Sequence, residues 1–163
     1  MSQVVSLSTT PKKTLKGTMI LFCSVVVSIL IFMLIAFLIG QTKGPLIPAL
    51  SKYKILFTWF MVALLIVCLL IAKRIFNKGI TAAKNSLNPL NDKLSQHRSA
   101  LIKYLVICEV PALLSVLLFL FTGDFIFQVY VAIFLGFMLA MTPVQRRVAS
   151  ELELDGLQQK ELE

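Results

Sequence analysis

Long apolar stretches alternate with shorter polar segments along this chain, and four of them have the length of membrane-spanning elements. They cover residues 18–39, 55–72, 104–121 and 125–141. A helix needs about 20 mainly apolar residues to cross about 30 Å of hydrocarbon. The first stretch meets that length, and aromatic, Lys and Arg flanks extend the other three into the membrane interfaces. The pattern predicts an all-α polytopic membrane protein with four transmembrane helices in residues 18–141.

The segment between the second and third stretches, residues 73–103, keeps a helical period. Its apolar residues recur at alternating spacings of four and three: Phe76, Ile80, Ala83, Leu87, Leu90 and Leu94. Asn88-Pro89 interrupts the period, and Asn suits a helix cap while Pro suits the first helical position. We therefore predict a helical hairpin extension, in which the second span continues to about Ser86, the chain turns at Leu87–Asn88, and a new helix runs from Pro89 into the third span. The alternative is a basic amphipathic segment that lies on anionic lipid.

Short polar signals indicate how the later segments connect. The connection Thr122-Gly123-Asp124 is brief, which predicts a tight hairpin of the third and fourth spans with Asp124 capping the fourth. Thr142-Pro143 repeats the cap-then-proline pattern and opens a C-terminal tail, residues 142–163. We expect an amphipathic helix through VQRRVASELEL in this tail, followed by a short turn that begins near Asp155.

The first span follows a basic tail, residues 1–17, as the apolar core of a signal peptide would. However, its apolar core is longer than the roughly 7–15 residues of a signal peptide, and no small-residue cleavage motif follows it. We therefore interpret the first span as a retained anchor helix.

Composition supports the membrane class. Hydrophobic residues make up 58% of the 163 residues and charged residues only 15%, against about 45–50% and about 25% in a soluble domain. One soluble core could not bury this much apolar surface. The lipid bilayer is therefore the first partner that the sequence predicts.

The basic residues set the expected orientation. Three Lys or Arg precede the first span, seven lie between the second and third, and three follow the last. Three others lie between the first two spans, and the last connection has none. The positive-inside rule then places both termini and the hairpin extension in the cytoplasm, with a bacterial cytoplasmic (inner) membrane as the expected location. Because the positive charges flank the spans, the net charge of +8 does not predict nucleic-acid binding.

Few residues are available for catalysis or metal binding. All three cysteines lie within apolar runs, and His97 is the only histidine. The sequence contains no metal-ligand spacing, no nucleophile–base pair and no phosphate-binding loop. We therefore expect neither an enzyme nor a metal site nor a cofactor.

One ionisable side chain falls inside a predicted span. Glu109 lies about 7–8 Å below the cytoplasmic interface at 1.5 Å per residue. Burial in lipid opposes the charge of a carboxylate, so such a group faces the bundle interior, pairs with a cation or takes up a proton. Arg74, at the cytoplasmic end of the second span, is the predicted partner.

Two neighbours complete this candidate site. Pro111 deprives the Ile107 carbonyl of its helical partner, which predicts a kink. Gly136 is level with Glu109 in the predicted hairpin and would allow a close approach of helices there. The set of Glu109, Pro111, Arg74 and Gly136 has two interpretations. It is either a structural ion pair beside a kink or a polar pocket that handles an ion or a proton.

The tail and the hairpin extension carry opposite charges. Five of the eight acidic residues lie in the tail, and seven basic residues lie in residues 73–103. Attraction between the two is one interpretation. A solvated acidic end is the other, since exposed ion pairs contribute only about 0–1 kcal/mol each.

The C-terminal part of the chain resembles a known group of proteins. The segments IKYLVICEVPALLSVLLFLFTGD and TPVQRRVASELELDGLQQKEL are similar to parts of small four-span bacterial membrane proteins of unassigned function, over about residues 100–163. This resemblance implies no activity. The hairpin also resembles rotary-ATPase proteolipids, which carry one ion-binding carboxylate per hairpin. The spans lack the repeated glycines of those proteins, the expected termini are on the opposite side, and Glu109 is shallow, and all three features count against that assignment.

These features favour a small non-enzymatic membrane protein that acts as a scaffold or accessory subunit through its cytoplasmic hairpin and tail. The alternative is an oligomeric ion- or proton-coupled carrier in which Glu109 titrates. A homo-oligomer or partners in a membrane complex are expected in either case.

Overall fold

The computed structural model describes residues 11–85 and 90–152, and every regular element in that part of the chain is a helix. Helix α1 covers Pro11–Lys43, and a short 3-10 helix, Pro48–Tyr53, leads into α2, Lys54–Asn85. Helix α3 follows at Leu90–Thr122, then α4 at Ile126–Ala140 and α5 at Gln145–Glu151. The all-α prediction is confirmed for these residues.

Three of the helices are long and apolar enough to cross a membrane. Helices α1, α2 and α3 contain 33, 32 and 33 residues, so each is about 50 Å long at 1.5 Å per residue. Helix α4 is also apolar but has only 15 residues, or about 22 Å. The first three predicted spans thus correspond to membrane-length helices, and the fourth corresponds to a shorter one.

The second and third spans continue beyond their apolar stretches, as the helical period predicts. Helix α2 runs without a break from the second span to Asn85, and α3 runs from Leu90 into the third span. We call residues 73–85 and 90–103 the two arms of the extension. The turn predicted at Leu87–Asn88, the helix start at Pro89 and the turn near Asp155 lie outside the described residues.

Helix α3 is the centre of the bundle, and α1, α2 and α4 all pack against it. Half of the residues in its most apolar stretch of 18 are buried, compared with 22% for the corresponding stretch of α1 and 11% for that of α2. Its buried positions recur at spacings of three and four, the period of one helix face: Leu101, Leu105, Cys108, Ala112, Ser115 and Phe119. The opposite face exposes Val106, Val110 and Leu117.

The outer helices direct large apolar side chains away from the bundle. Trp59 on α2 is 69% exposed, and similar exposure continues along α1 at Phe32 and Leu38. A soluble monomer rarely exposes contiguous apolar patches larger than a few hundred Å². Hydrocarbon is the solvent in which this surface is stable.

The connections at the far end of the bundle satisfy the last carbonyls of α3, which have no partner within the helix. The backbone N–H of Leu46 donates to the Leu120 carbonyl at 2.9 Å, and Ser51 Oγ donates to the Thr122 carbonyl at 2.9 Å. Gly123 then turns the chain with a φ of +71°, a region that favours glycine. The N-cap of α4 is Phe125 and not Asp124 as predicted, although the Asp124 carboxylate accepts the N–H of Ile126, the first residue of α4, at 3.1 Å.

The two arms approach most closely at a glycine. A Cβ placed on Gly79 would lie 2.5 Å from the Cβ of Ala100, so no larger residue fits between the helix backbones here. This contact also fixes the register of the antiparallel pair, with residue 79 of α2 level with residue 100 of α3.

Candidate functional site

The short C-terminal helix α5 docks on the arms. A second hydrophobic cluster, separate from the main core, joins it to α2, α3 and the start of α1. We call this the docking cluster, and its residues are Ala83, Leu90, Leu94, Val148, Ala149 and Leu152, with Leu15 packed against them. A helix of seven residues is too short to be stable alone. Helix α5 therefore depends on this packing.

A buried histidine anchors α5 to the third helix. His97 is only 3% exposed, and its Nε2 lies 2.8 Å from Oε2 of Glu151. An ionised carboxylate only accepts hydrogen bonds, so this ring nitrogen is the donor. The His97 ring also meets Phe76 edge to face, with 5.9 Å between ring centroids. The imidazole thus connects α3 with both α2 and α5.

Arg147 holds the other oxygen of the same carboxylate. Its Nε donates to Oε1 of Glu151 at 2.6 Å. Its Nη1 donates to the carbonyl of Ala140, the last residue of α4, and its Nη2 lies 2.8 Å from Sδ of Met141. The arginine therefore ties α5 to a helix end whose carbonyls have no partner within the helix. We call these three side chains the His97–Glu151–Arg147 network.

Two opposing effects set the pKa of Glu151. Burial raises the pKa of the carboxyl, but hydrogen bonds from His97 and Arg147, with the charge of Arg147, outweigh burial and lower the pKa below its usual range. The carboxylate is therefore ionised at neutral pH. Of the two interpretations of the acidic tail, attraction to the extension and a solvated end, neither describes Glu151 fully. Its partners are His97 of the extension and Arg147 of the tail itself, and neither is one of the seven Lys and Arg residues of the extension.

The predicted partners Glu109 and Arg74 do not meet. Within the described ranges, Arg74 makes no ion pair with Glu109, and Arg74 is exposed. With Gly79 level with Ala100, Glu109 is level with residue 70 of the antiparallel neighbour, about 6 Å along the helix axis from Arg74. This offset, together with the exposed position of Arg74 on α2, keeps the two groups apart.

Glu109 has buried residues of α3 on one side and exposed residues on the other. The carboxylate is half-buried, with the buried Leu105 and Ala112 one turn away on one side. Val106 and Val110 on the other side are exposed. Glu109 therefore lies at the edge of the packed face of α3, where part of it is accessible from outside the bundle.

The other two predicted site residues are Pro111 on α3 and Gly136 on α4. Pro111 is buried within α3, which continues through it, and its carbonyl accepts the Ser115 hydroxyl at 2.8 Å. Gly136 is exposed, and a Cβ added there would meet nothing within 4 Å. No helix in the described part of the chain approaches Gly136 closely, because Gly136 lies on the face of α4 that is turned away from its neighbours. Gly79 has that role instead.

Sequence reasoning missed the network, although one signal was available. His97 continues the apolar spacing that runs from Leu90 through Leu94 to Leu101, which places it on the buried face of its arm. A buried imidazole needs a hydrogen-bond partner. The partner could have been sought in the acidic tail.

Among the described residues, no three His, Cys, Asp or Glu side chains form a group that could hold a metal.

Comparison of the chain with protein-family models, with characterised proteins and with solved structures gave no match. The fold itself defines the class. Three apolar helices of membrane-spanning length, with large side chains directed outward, are the hallmark of an integral membrane protein.

Proposed function

We propose that this protein is a non-enzymatic scaffold or accessory subunit of a membrane complex. Its working surface is the unit formed by the two arms and α5, which we call the platform. The observation that carries the proposal is the His97–Glu151–Arg147 network together with the docking cluster. Both fix a very short helix on the arms, outside the apolar stretches. A preformed surface binds a partner without the cost of ordering a flexible segment.

The proposal includes a topology with four spans. Helix α4, together with Phe125 and Met141 at its ends, would form the last and shortest crossing, and a locally thinner bilayer accommodates short spans. Both termini and the platform would then face the cytoplasm of a bacterial inner membrane. The supporting argument is the concentration of Lys and Arg on that side.

Labelling of single cysteines tests the topology. In a cysteine-free background, Lys52→Cys lies between α1 and α2, and Ser95→Cys is exposed on the second arm. A membrane-impermeant maleimide should label Lys52→Cys in intact cells and should label Ser95→Cys only after permeabilisation. Labelling of both positions in intact cells would exclude the proposed arrangement.

Co-purification tests the scaffold function. The full chain, isolated in mild detergent and analysed by mass, should carry partner subunits or a second copy. Truncation after Thr142 removes α5 and should release the partners without preventing membrane insertion. Unchanged co-purification of the truncated chain would contradict the proposal.

A carrier function is the second candidate, and the position of Glu109 favours it. The carboxylate is half-buried at the edge of α3 and makes no ion pair with Arg74 in the described part of the chain. A group that loads and releases an ion or a proton needs such access. In proteoliposomes, Glu109→Gln should then abolish a pH-dependent flux that the unmodified protein supports. Absence of any flux from the unmodified protein would exclude this candidate.

A further inference from the structure

A cleft of about 490 Å³ opens between the two arms. Its walls include Lys78 on the first arm and Lys103 on the second, with Gln96 and Ser99 beside them. This cleft lies apart from the docking cluster and from Glu109. It lies on the arms of the platform, but its lining includes no residue of the docking cluster or of the His97–Glu151–Arg147 network.

The shape of the cleft follows from the small residues at its base. Gly79 and Ala100 line it and bring the two helix backbones together. Longer side chains on either side of this contact then rise as walls. The result is a groove with Gly79 and Ala100 at its base, lined by apolar side chains and by the polar side chains named above.

The charged residues that line the cleft are both lysines. Lys78 and Lys103 are both exposed, and neither makes an ion pair within the described ranges. Residues 73–103 contain seven basic residues and one acidic residue, Asp92, which does not line the cleft. Two ammonium groups that face one groove repel each other, and a bound anion relieves that repulsion. The side chains of Gln96 and Ser99 can add uncharged hydrogen-bond donors.

The cleft also lies at the right depth for a lipid head group. Lys103 directly precedes the third apolar stretch, and Lys78 lies six residues beyond the end of the second, or about 9 Å at helical rise. The polar layer of a bilayer adds about 5–8 Å on each side of the hydrocarbon. Lys103 therefore lies within that layer and Lys78 at its outer edge, so the cleft faces the membrane surface, where basic pockets between helices meet anionic lipid.

From these observations we propose that the cleft between Lys78 and Lys103 binds a phosphate group, with the two ammonium groups as its counter-charges. The phosphate would come from the head group of an anionic phospholipid in the adjacent leaflet or from a soluble phosphate ester. The site does not require the scaffold function, because neither Lys78 nor Lys103 belongs to the docking cluster or the network.

Lipid titration of the full chain tests the site. The protein, stripped of lipid in a neutral detergent, is titrated with phosphatidylglycerol or phosphatidylcholine, and bound lipid is counted by native mass spectrometry. We expect tight binding of phosphatidylglycerol only. The double variant Lys78→Gln/Lys103→Gln should bind it about 30-fold more weakly, which is about 2 kcal/mol at 1.4 kcal/mol per tenfold.

A matched control separates the cleft from general surface charge. Lys73→Gln/Arg74→Gln removes the same charge from exposed residues that do not line the cleft and should change the affinity by less than about threefold. Lys78→Arg/Lys103→Arg keeps both charges and should retain binding, which guards against a folding defect in the Gln variant. Equal losses in the two Gln pairs, or none in the cleft pair, would overturn the proposal.

Soluble ligands distinguish the two sources of phosphate. Glycerol 1-phosphate and inorganic phosphate are added to the protein in phosphatidylcholine nanodiscs. Binding of phosphatidylglycerol without binding of these compounds assigns the cleft to lipid, and saturable binding of a soluble phosphate that requires Lys78 and Lys103 assigns it to a soluble ester. Failure of both ligand classes to bind through these lysines refutes the site, even where partner co-purification succeeds.

Discussion

Substitution of Glu151 by Gln should release α5 from the arms. The carboxylate accepts hydrogen bonds from His97 at 2.8 Å and from Arg147 at 2.6 Å. Gln has nearly the same shape but lacks the charge, and its amide nitrogen is a donor where the native oxygen is an acceptor. One of the two donors, Nε2 of His97 or Nε of Arg147, would therefore face another donor.

The size of the effect follows from the exposure of the groups. Hydrogen bonds to charged groups contribute about 1.5–3 kcal/mol each, and the carboxylate accepts one such bond from Arg147 and one from the imidazole. The Glu151 side chain is 20% exposed and that of Arg147 is 31% exposed, so solvent screening brings each contribution nearer to about 1 kcal/mol. We expect docking of α5 to weaken by about 2 kcal/mol, a shift of about 30-fold toward the undocked state.

Hydrogen exchange of the full chain in detergent measures this shift. Local opening sets the exchange rate of a helix that opens without global unfolding. Amides of α5 should therefore exchange about 30-fold faster in Glu151→Gln, while the apolar part of α3 should not change. Trypsin gives an independent readout, because cleavage after Arg147 requires α5 to leave the arms.

Ser150→Ala is the matched control, since Ser150 is an exposed neighbour outside the network. It should leave both readouts close to those of the unmodified protein. If Glu151→Gln accelerated exchange no more than Ser150→Ala does, the network would not hold α5. The docking cluster alone would then account for its position.

Three further outcomes are expected. Because His97 and Arg147 lower the pKa of Glu151, the stabilisation is complete above the ordinary Glu value of about 4.3 and declines as the pH falls through the lowered folded value. The protection of the α5 amides, which is their exchange rate relative to the intrinsic rate at the same pH, should be constant from neutral pH to about pH 5 and should fall only in more acidic solution. Gly79→Leu places a side chain where even a Cβ would lie 2.5 Å from Ala100, and overpacking should lower stability by about 1–3 kcal/mol, seen as a lower Tm in detergent. Gly136→Ala has open space for its Cβ and should leave the Tm unchanged or raise it, since Ala favours a helix over Gly by about 0.5–1 kcal/mol; a fall in Tm would show that Gly136 packs against another helix.

The helices could be predicted because length and composition decide them. A run such as residues 18–39 is too long and too apolar for anything but a membrane helix, and the repeat from Phe76 to Leu94 has a period of its own. Both signals are local in the chain. Because these signals are local, three predicted spans could be matched to helices α1, α2 and α3.

The contacts between helices could not be predicted in the same way. The pairing of Glu109 with Arg74 depended on the register of α2 against α3 and on the face of α2 that carries Arg74. An offset of about 6 Å along the helix axis and the exposure of Arg74 separate the two groups. The two glycines differ for a similar reason. Gly79 faces a neighbouring helix and Gly136 does not, a distinction that depends on which face of each helix turns inward.

The distance along α3 between Glu109 and the His97–Glu151–Arg147 network makes the two functional proposals independent of each other. Along α3, Glu109 lies 12 residues beyond His97, or about 18 Å at helical rise. A change at Glu109 therefore leaves the network and the docking cluster in place, and removal of α5 leaves the surroundings of Glu109 in place. A scaffold should lose its partners on truncation after Thr142 and tolerate Glu109→Gln. A carrier should lose its flux with Glu109→Gln and keep it after truncation, so the two variants assayed together assign the function to the platform or to the membrane domain.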